Sequence, residues 1–103
     1  MYQLEFLPIA KKDMEDIVYY VAYSLNNDTA AKELAKGFID GAKSILDFPF
    51  GSSIYNTSEK LKYEYRCIKI KNFLMFYKID DEKKIVTVVR VLYKRMNIDD
   101  ILN

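Results

Sequence analysis

Residues 88–97 (VVRVLYKRMN) carry the residue types in this chain that could do chemistry. Arg90 stands inside an apolar run, and Tyr93, Lys94 and Arg95 follow where that run ends. A tyrosine beside two cations suits RNA, because aromatic rings stack on bases and cations meet phosphates. It equally suits a protein interface, where Tyr and Arg are favoured anchors. The third alternative is a solvated strand end with no further role.

Arg90 interrupts a strand that is otherwise apolar. Regular strand alternation places Arg90 on the same face as Val86, Val88 and Leu92. Because a buried guanidinium is costly unless it is paired, we expect Arg90 to lie half-exposed near the end of the sheet or to bind a carboxylate. The candidate carboxylates are Asp99 and Asp100, which would fix the C-terminal helix.

Arg66 is a second arginine within a predicted strand, on the face shared by Ile68 and Ile70. Two arginines that meet on the open face of an antiparallel sheet would form a pocket able to hold phosphate or carboxylate in a bidentate manner. The sequence leaves open whether Arg66 and Arg90 point the same way.

The composition excludes several kinds of catalytic site. The chain has no histidine and one cysteine, Cys67, so we predict no metal site and no internal disulfide. Acid–base chemistry would have to use Lys, Arg, Tyr, Glu or Asp. Glu64, Lys69 and Lys71 are candidate bases or phosphate contacts, but their spacing does not require that role. No glycine-rich phosphate loop is present, and we predict no cofactor.

Length and charge place the chain among ordinary globular domains. Its 103 residues, half of them hydrophobic, predict one domain over residues 1–103. No apolar run is long enough to cross a membrane, no signal-peptide pattern is visible, and the single cysteine fits the cytoplasm. Residues 1–59 carry 5 lysines and 9 acids, a balance of −4; residues 60–103 carry 11 basic and 6 acidic residues, a balance of +5. The basic half could face a polyanion or an acidic protein.

The first half of the chain predicts a strand and two helices. Residues 2–7 alternate like a half-buried strand, and Pro8 suits the first turn of a helix. That helix has an apolar face formed by Met14, Ile17, Val18, Val21 and Leu25. Asp28 is the predicted cap of a second helix, which ends before Pro49. The spacing of Gly37 and Gly41 would let the first helix approach the second closely.

The second half predicts three strands after a surface connection at residues 50–62. The strands cover residues 63–70, 73–79 and 85–93, with a tight turn at residues 71–72 and the last strand in a central position. Asn97 is the predicted cap of a short final helix, which docks through Ile98, Ile101 and Leu102. The order βααβββα predicts an α+β fold, with a helical hairpin packed on one face of a small, mainly antiparallel sheet.

Three segments resemble the RelE/ParE toxins of type II toxin–antitoxin systems. PIAKKDMEDIVYYV is similar to the family's first helix, and AAKELAKGFIDGAKSILDFPFGS is similar to its second helix and proline–glycine connection. YRCIKIKNFLMFYKIDDEKKIVTVVRVLYKRMNIDDIL resembles the closing strands and helix. The ordered set covers nearly the whole chain. The resemblance implies the βααβββα fold and a cognate antitoxin, with operator DNA bound only through that antitoxin.

The resemblance also separates two activities. RelE-like members cut mRNA on the ribosome and usually carry an arginine three positions before the tyrosine that is Tyr77 here, a position that Leu74 occupies. The run VVRVLYKR instead resembles the ParE-like ending, although Tyr93 stands where ParE-like chains often have histidine. We therefore expect a toxin that inhibits DNA gyrase by binding, without catalysis, through Arg90, Tyr93, Lys94 and Arg95.

Two further hypotheses remain open. In a ribosome-dependent mRNA endonuclease, Arg66 and Arg90 would bind phosphate and Tyr93, Lys94 or Arg95 would aid proton transfer. In a degenerate toxin, only antitoxin binding would survive. In each case we expect the antitoxin to dock across the helical hairpin or the open sheet face, with the tyrosines of the first helix as its surface: Tyr19, Tyr20 and Tyr23.

Overall fold

The computed structural model describes residues 1–55 and 63–102, so part of the predicted surface connection, residues 56–62, lies outside the described residues, as does residue 103. The elements in chain order are β1 (Gln3–Phe6), α1 (Pro8–Tyr19), a π-helical turn (Tyr20–Ser24), α2 (Asp28–Asp47), β2 (Arg66–Ile70), β3 (Phe73–Asp80), β4 (Ile85–Tyr93) and α3 (Ile98–Leu102). The π-helical turn continues α1, so this order confirms the predicted βααβββα fold.

The four strands form one mixed sheet in the order β1-β4-β3-β2. β4 pairs with β1 in parallel and with β3 antiparallel, and β3 pairs antiparallel with β2. β4 is therefore an inner strand, as its β-branched composition predicts. Its valines are buried because hydrophobic clusters cover both faces of the sheet.

The two faces of the sheet carry different layers. The larger cluster joins the helical hairpin to the sheet and includes Phe38, Ile45, Met75 and Tyr77. The smaller cluster lies on the other face, where Ile98 and Leu102 of α3 pack on Phe76. The prediction that α3 docks back onto the sheet is confirmed. Asn97 stands at the predicted cap position, where its carbonyl accepts from the Ile101 amide at 3.3 Å and its side-chain amide donates to Asp100 Oδ2 at 2.6 Å.

A β-bulge in β4 changes the alternation of its side chains. Phe76 pairs with Arg90 but Tyr77 pairs with Val88, so Val89 is an extra residue between them. Val86 and Val88 consequently belong to the helical-layer cluster, whereas Leu92 belongs to the α3 cluster. The prediction that Arg90 shares one face with these three residues was wrong, because it assumed an unbroken period of two.

The first helix ends in a wider turn than the sequence pattern predicts. The amide of Leu25 donates to Tyr20 O at 3.1 Å, and the amide of Asn27 donates to Val21 O at 3.1 Å. These bonds span five and six residues, so the turn is wider than an α-helix. Val21 stays buried, but Leu25 is 56% exposed. The prediction that Leu25 completes the buried face was therefore wrong.

Asn27, and not the predicted Asp28, caps α2. Its side-chain Oδ1 accepts from the Ala30 amide at 3.1 Å, and Asp28 is the first helical residue. Asn26 reverses the chain with a φ of 49°, a left-handed conformation that asparagine tolerates well. At its other end α2 stops at Asp47, as predicted.

The glycines of α2 face the sheet. The prediction that they let the first helix approach closely was therefore wrong. A Cβ atom added at Gly41 would lie 2.8 Å from Ile70 Cδ1 and 3.0 Å from Ile68 Cδ1. A Cβ at Gly37 would lie 3.0 Å from Ile70 Cγ2. The glycines therefore let α2 pack closely on β2, because isoleucine side chains fill the space that their missing side chains leave.

Replacing Gly41 with valine should destabilise the fold. Although removal of a helical glycine stabilises a helix by up to about 1 kcal/mol, two added γ-carbons would collide with Ile70, and overpacking of this kind costs about 1–3 kcal/mol. We expect a net decrease in the free energy of unfolding, measured by chemical denaturation. Lys43→Val, at an exposed position of the same helix, is the control and should change stability by less than about 0.5 kcal/mol. Equal stability of Gly41→Val and the wild type would contradict this packing.

Candidate functional site

Arg90 is held by a carboxylate from the first helix. Its Nε donates to Asp13 Oδ2 at 2.8 Å and its Nη2 donates to Asp13 Oδ1 at 2.9 Å. The two side chains are 25% and 14% exposed. The hydrogen bonds to Asp13 raise the pKa of Arg90 above its ordinary value. Of the two alternatives predicted for Arg90, binding to a carboxylate is confirmed, but the predicted partners, Asp99 and Asp100, were wrong.

Asp13 also completes the edge of the sheet. β1 accompanies β4 only as far as the pair formed by Phe6 and Val88. Beyond that point α1 lies where the next part of the strand would be, and Asp13 Oδ2 accepts from the backbone amide of Val91 at 3.0 Å. One carboxylate thus satisfies a guanidinium and a backbone N–H that has no strand neighbour on this side.

Arg66 is bound separately, so the predicted pocket of two arginines does not form. Its guanidinium donates to the carbonyl oxygens of Phe50 and Ser52, and it lies over the Phe50 ring at 5.2 Å from the centroid. Arg66 pairs with Tyr77, whereas Arg90 pairs with Phe76. The two arginines therefore occupy neighbouring rows of the sheet, whose side chains point to opposite faces.

Tyr77 explains why the connection after α2 is available to Arg66. The Tyr77 side chain is fully buried, and its hydroxyl donates to Pro49 O at 2.8 Å and hydrogen-bonds the Ser52 hydroxyl. The segment around Phe50 is thereby fixed against the sheet. Arg66 donates to carbonyl oxygens of this segment and so helps to hold the connection between α2 and β2 against the sheet.

Tyr93, Lys94 and Arg95 lie together at the exit of β4. Tyr93 is 40% exposed, and its ring contacts Phe73 edge-on with centroids 5.8 Å apart. The amide of Met96 donates to Tyr93 O at 3.0 Å and closes a turn. Lys94 and Arg95 are exposed, and neither makes an ion pair with any described residue. They differ in this respect from Arg66 and Arg90, whose guanidinium groups bind acceptors within the protein.

An apolar groove of about 800 Å³ begins beside Tyr93. It runs between the end of the first helix, the first turns of α2 and the β2–β3 turn. The apolar residues that line it are Ile17, Tyr20, Val21, Leu25, Ala30, Leu34, Phe73 and Tyr93. The exposure of Leu25 that the π-helical turn produces thus contributes to a continuous apolar surface.

The three tyrosines predicted for antitoxin binding are exposed but differ in position. Tyr20 lines the groove and is 56% exposed. Tyr19 and Tyr23 are 65% and 70% exposed, and their rings are in contact, with centroids 4.5 Å apart and planes tilted by 39°. All three lie at the junction of α1 and the π-helical turn.

Sequence reasoning missed Asp13, although a signal for it exists. Asp13 follows Ala10 by three residues and precedes Ile17 by four, so helical periodicity places this charge on the buried face. A charge on the buried face of a helix requires a partner, and Arg90 inside a buried strand has the same need. Combining these two needs would have predicted the pair.

The described residues offer neither a metal-ion site nor a membrane-spanning helix. Within residues 1–55 and 63–102, no group of three His, Cys, Asp or Glu side chains could hold a metal ion. No helix in the same residues is both long and apolar enough to span a membrane. The thiol of Cys67 is half-buried, and burial raises its pKa.

Removing the Asp13 carboxylate should destabilise the protein markedly. Asp13→Ala leaves the Arg90 guanidinium and the Val91 amide without an acceptor, which should lower the free energy of unfolding by about 2–4 kcal/mol. In a double-mutant cycle with Arg90→Ala, the coupling energy should exceed about 1 kcal/mol. Asp16→Ala is the matched control, because Asp16 pairs with Lys12 on the exposed side of the same helix; it should cost less than about 0.5 kcal/mol. Additive effects of Asp13→Ala and Arg90→Ala would contradict the pairing.

Comparison with known proteins places this fold in a family. Residues 4–98 match the family model of the ParE toxin of the type II toxin–antitoxin system, parDE. No curated protein matches in sequence at a significant level. Among solved structures, the chromosomal ParDE toxin–antitoxin system of P. aeruginosa is similar with a TM-score of 0.68 and 14% identity, over 90% of this chain and 96% of that one.

Two RelBE structures are also similar. The RelBE2 toxin–antitoxin complex of Mycobacterium tuberculosis matches with a TM-score of 0.62 and 17% identity, over 89% of this chain and 96% of that one. The intact E. coli RelBE toxin–antitoxin complex matches with a TM-score of 0.56 and 19% identity, over 93% and 100%. These TM-scores establish a shared fold, and the family model establishes membership: this chain belongs to the ParE toxin family of type II toxin–antitoxin systems.

Proposed function

We propose that this toxin inhibits DNA gyrase by binding it through the exit of β4, and that it does so without catalysis. The observation that carries the proposal is the contrast among the cations. Lys94 and Arg95 are exposed and unpaired among the described residues, beside the half-exposed Tyr93 and an apolar groove. Aromatic and basic side chains next to apolar surface are typical of protein interfaces.

In this proposal Arg90 contributes as a positioning residue. Its guanidinium is bound in a bidentate manner by Asp13, which also accepts from the next residue of the strand, Val91. The pair fixes the last part of β4 against α1. Tyr93 and the two cations after it therefore leave the sheet in a defined direction, which favours binding because less conformational freedom is lost on association.

The alternative function, mRNA cleavage, is less well supported by the geometry. Cleavage by a neighbouring 2′-OH needs a base, an acid and cations that stabilise charge on the phosphate. Arg66 and Arg90 already bind acceptors within the protein. Leu74 stands at the position where RelE-like enzymes usually carry an arginine, and its side chain packs against the α3 cluster. The sequence offers no histidine as a base.

The antitoxin partner is proposed to cover the groove. As a member of this family the chain is the toxin of a toxin–antitoxin pair, and an amphipathic helix laid into an apolar groove is a common mode of recognition. Tyr20 on one wall and Tyr93 on the other provide aromatic contacts, and the contacting rings of Tyr19 and Tyr23 extend the same region. An occupant of this groove would contact Tyr93 and restrict access to Lys94 and Arg95.

Gyrase inhibition can be tested with a charge-matched pair of variants. Wild-type toxin should inhibit supercoiling by purified gyrase, and Lys94→Ala/Arg95→Ala should require at least tenfold more protein, because both unpaired cations of the exit are lost. Lys32→Ala/Lys36→Ala removes the same charge from the exposed side of α2 and should inhibit like the wild type. Unchanged supercoiling at a large excess of wild-type toxin would refute the proposal.

The nuclease alternative has its own test. Primer extension on translated messages, in a translation reaction that contains the toxin, should reveal no new 5′ ends. The reason is that the arginines required to hold the phosphate are bound elsewhere in the protein. Toxin-dependent cuts within codons would establish the alternative and replace the proposed function.

A further inference from the structure

The β2–β3 turn lies against the exit of β4. The amide of Lys94 donates to Asn72 O at 3.0 Å. Phe73, the first residue of β3, pairs with Tyr93, the last residue of β4, and their rings are in contact. Lys71 and Tyr93 both line the apolar groove. The turn and the exit are therefore one continuous surface, although more than twenty residues separate them along the chain.

Lys71 is exposed on this turn with a left-handed backbone. Its φ is 55°, a conformation in which asparagine or glycine is more favourable than lysine. It makes no ion pair with any described residue. Within residues 1–55 and 63–102, neither the backbone geometry nor an ion pair therefore accounts for a lysine at this position.

Lys84 provides an internal comparison. It occupies the β3–β4 turn at the opposite end of the sheet and has nearly the same backbone conformation, with a φ of 57°. Its Nζ, however, lies 2.9 Å from Asp81 Oδ1 and also lies over the Tyr2 ring. The two lysines share a left-handed φ, but Lys84 has an ion-pair partner, whereas Lys71 forms no ion pair with the described residues.

The charges that face the groove are unevenly arranged. Asp16 and Glu33 line it from the helical side, and Asp16 is already paired with Lys12 at 2.7 Å. Lys71 lies on the sheet side, where the exit adds Lys94 and Arg95. A partner that seats an apolar side chain in the groove and extends toward the sheet would meet three cations that form no ion pair within residues 1–55 and 63–102.

We propose that Lys71 is a further target-binding residue and that it contacts an acidic segment of the protein target beside an apolar anchor. The inference rests on the proposed function and extends its surface from the exit of β4 to the β2–β3 turn. The adjoining groove is mainly apolar, and its helical side carries the carboxylates of Asp16 and Glu33. An apolar side chain of a protein partner fits this lining better than the phosphates of DNA, which the two carboxylates would repel.

The matched variants Lys71→Asn and Lys84→Asn test this assignment. Asparagine suits the left-handed backbone at both positions, so both variants should fold with melting temperatures at or above that of the wild type. Binding to gyrase without DNA should weaken about five- to tenfold for Lys71→Asn and less than twofold for Lys84→Asn. The salt dependence of binding should also decrease for Lys71→Asn.

The same variants distinguish a failure of the role of Lys71 from a failure of the proposed function. Wild-type affinity of Lys71→Asn for gyrase would overturn the role of Lys71, as would a loss confined to binding of duplex DNA alone. If the wild type does not bind or inhibit gyrase, the proposed function fails, and growth arrest without antitoxin then decides on Lys71. Weaker arrest by Lys71→Asn than by Lys84→Asn at equal protein level supports a target contact, and equal arrest overturns it.

Discussion

The free edge of β4 beyond Val88 is the constraint on which this end of the molecule depends. β1 ends there because Pro8 starts a helix, and an inner strand abruptly becomes an edge strand with unpaired backbone groups. Asp13 resolves the problem by accepting from the Val91 amide, and the same carboxylate binds Arg90. The bulge around Val89 belongs to the same adjustment, since it changes which face each following side chain takes.

This constraint sorts the cations of the basic half by role. Arg90 and Arg66 bind acceptors within the protein. Arg90 links β4 to α1 through Asp13, and Arg66 holds the connection that follows α2 through the carbonyl of Phe50. Lys94 and Arg95 leave the sheet just after the pinned part of β4, and the β2–β3 turn brings Lys71 beside them. Three exposed cations that have no ion pair in the described part of the chain, on a surface fixed by the sheet, support the proposal that this end of the molecule binds a partner.

Local sequence signals predicted the elements well, and long-range contacts account for what they missed. β-branched residues located β4 at residues 85–93, and Pro49 located the end of α2. The π-helical turn and the bulge were not predicted, because each inserts one residue into a regular period and no residue type marks the insertion. The partner of Arg90 lies 77 positions away, and the neighbours of Gly41 are on β2. Spacing along the chain cannot reveal contacts that only the sheet order creates.

The most direct test of the account is to ask what the exit of β4 touches when gyrase and ribosomes compete for it. A toxin with a benzophenone side chain at position 96, in place of the exposed Met96, would be irradiated in a bacterial extract that contains both, with and without the antitoxin, and the adducts identified by mass spectrometry. The account predicts an adduct with a gyrase subunit that disappears when antitoxin is added. An adduct with ribosomal RNA or a ribosomal protein would contradict it.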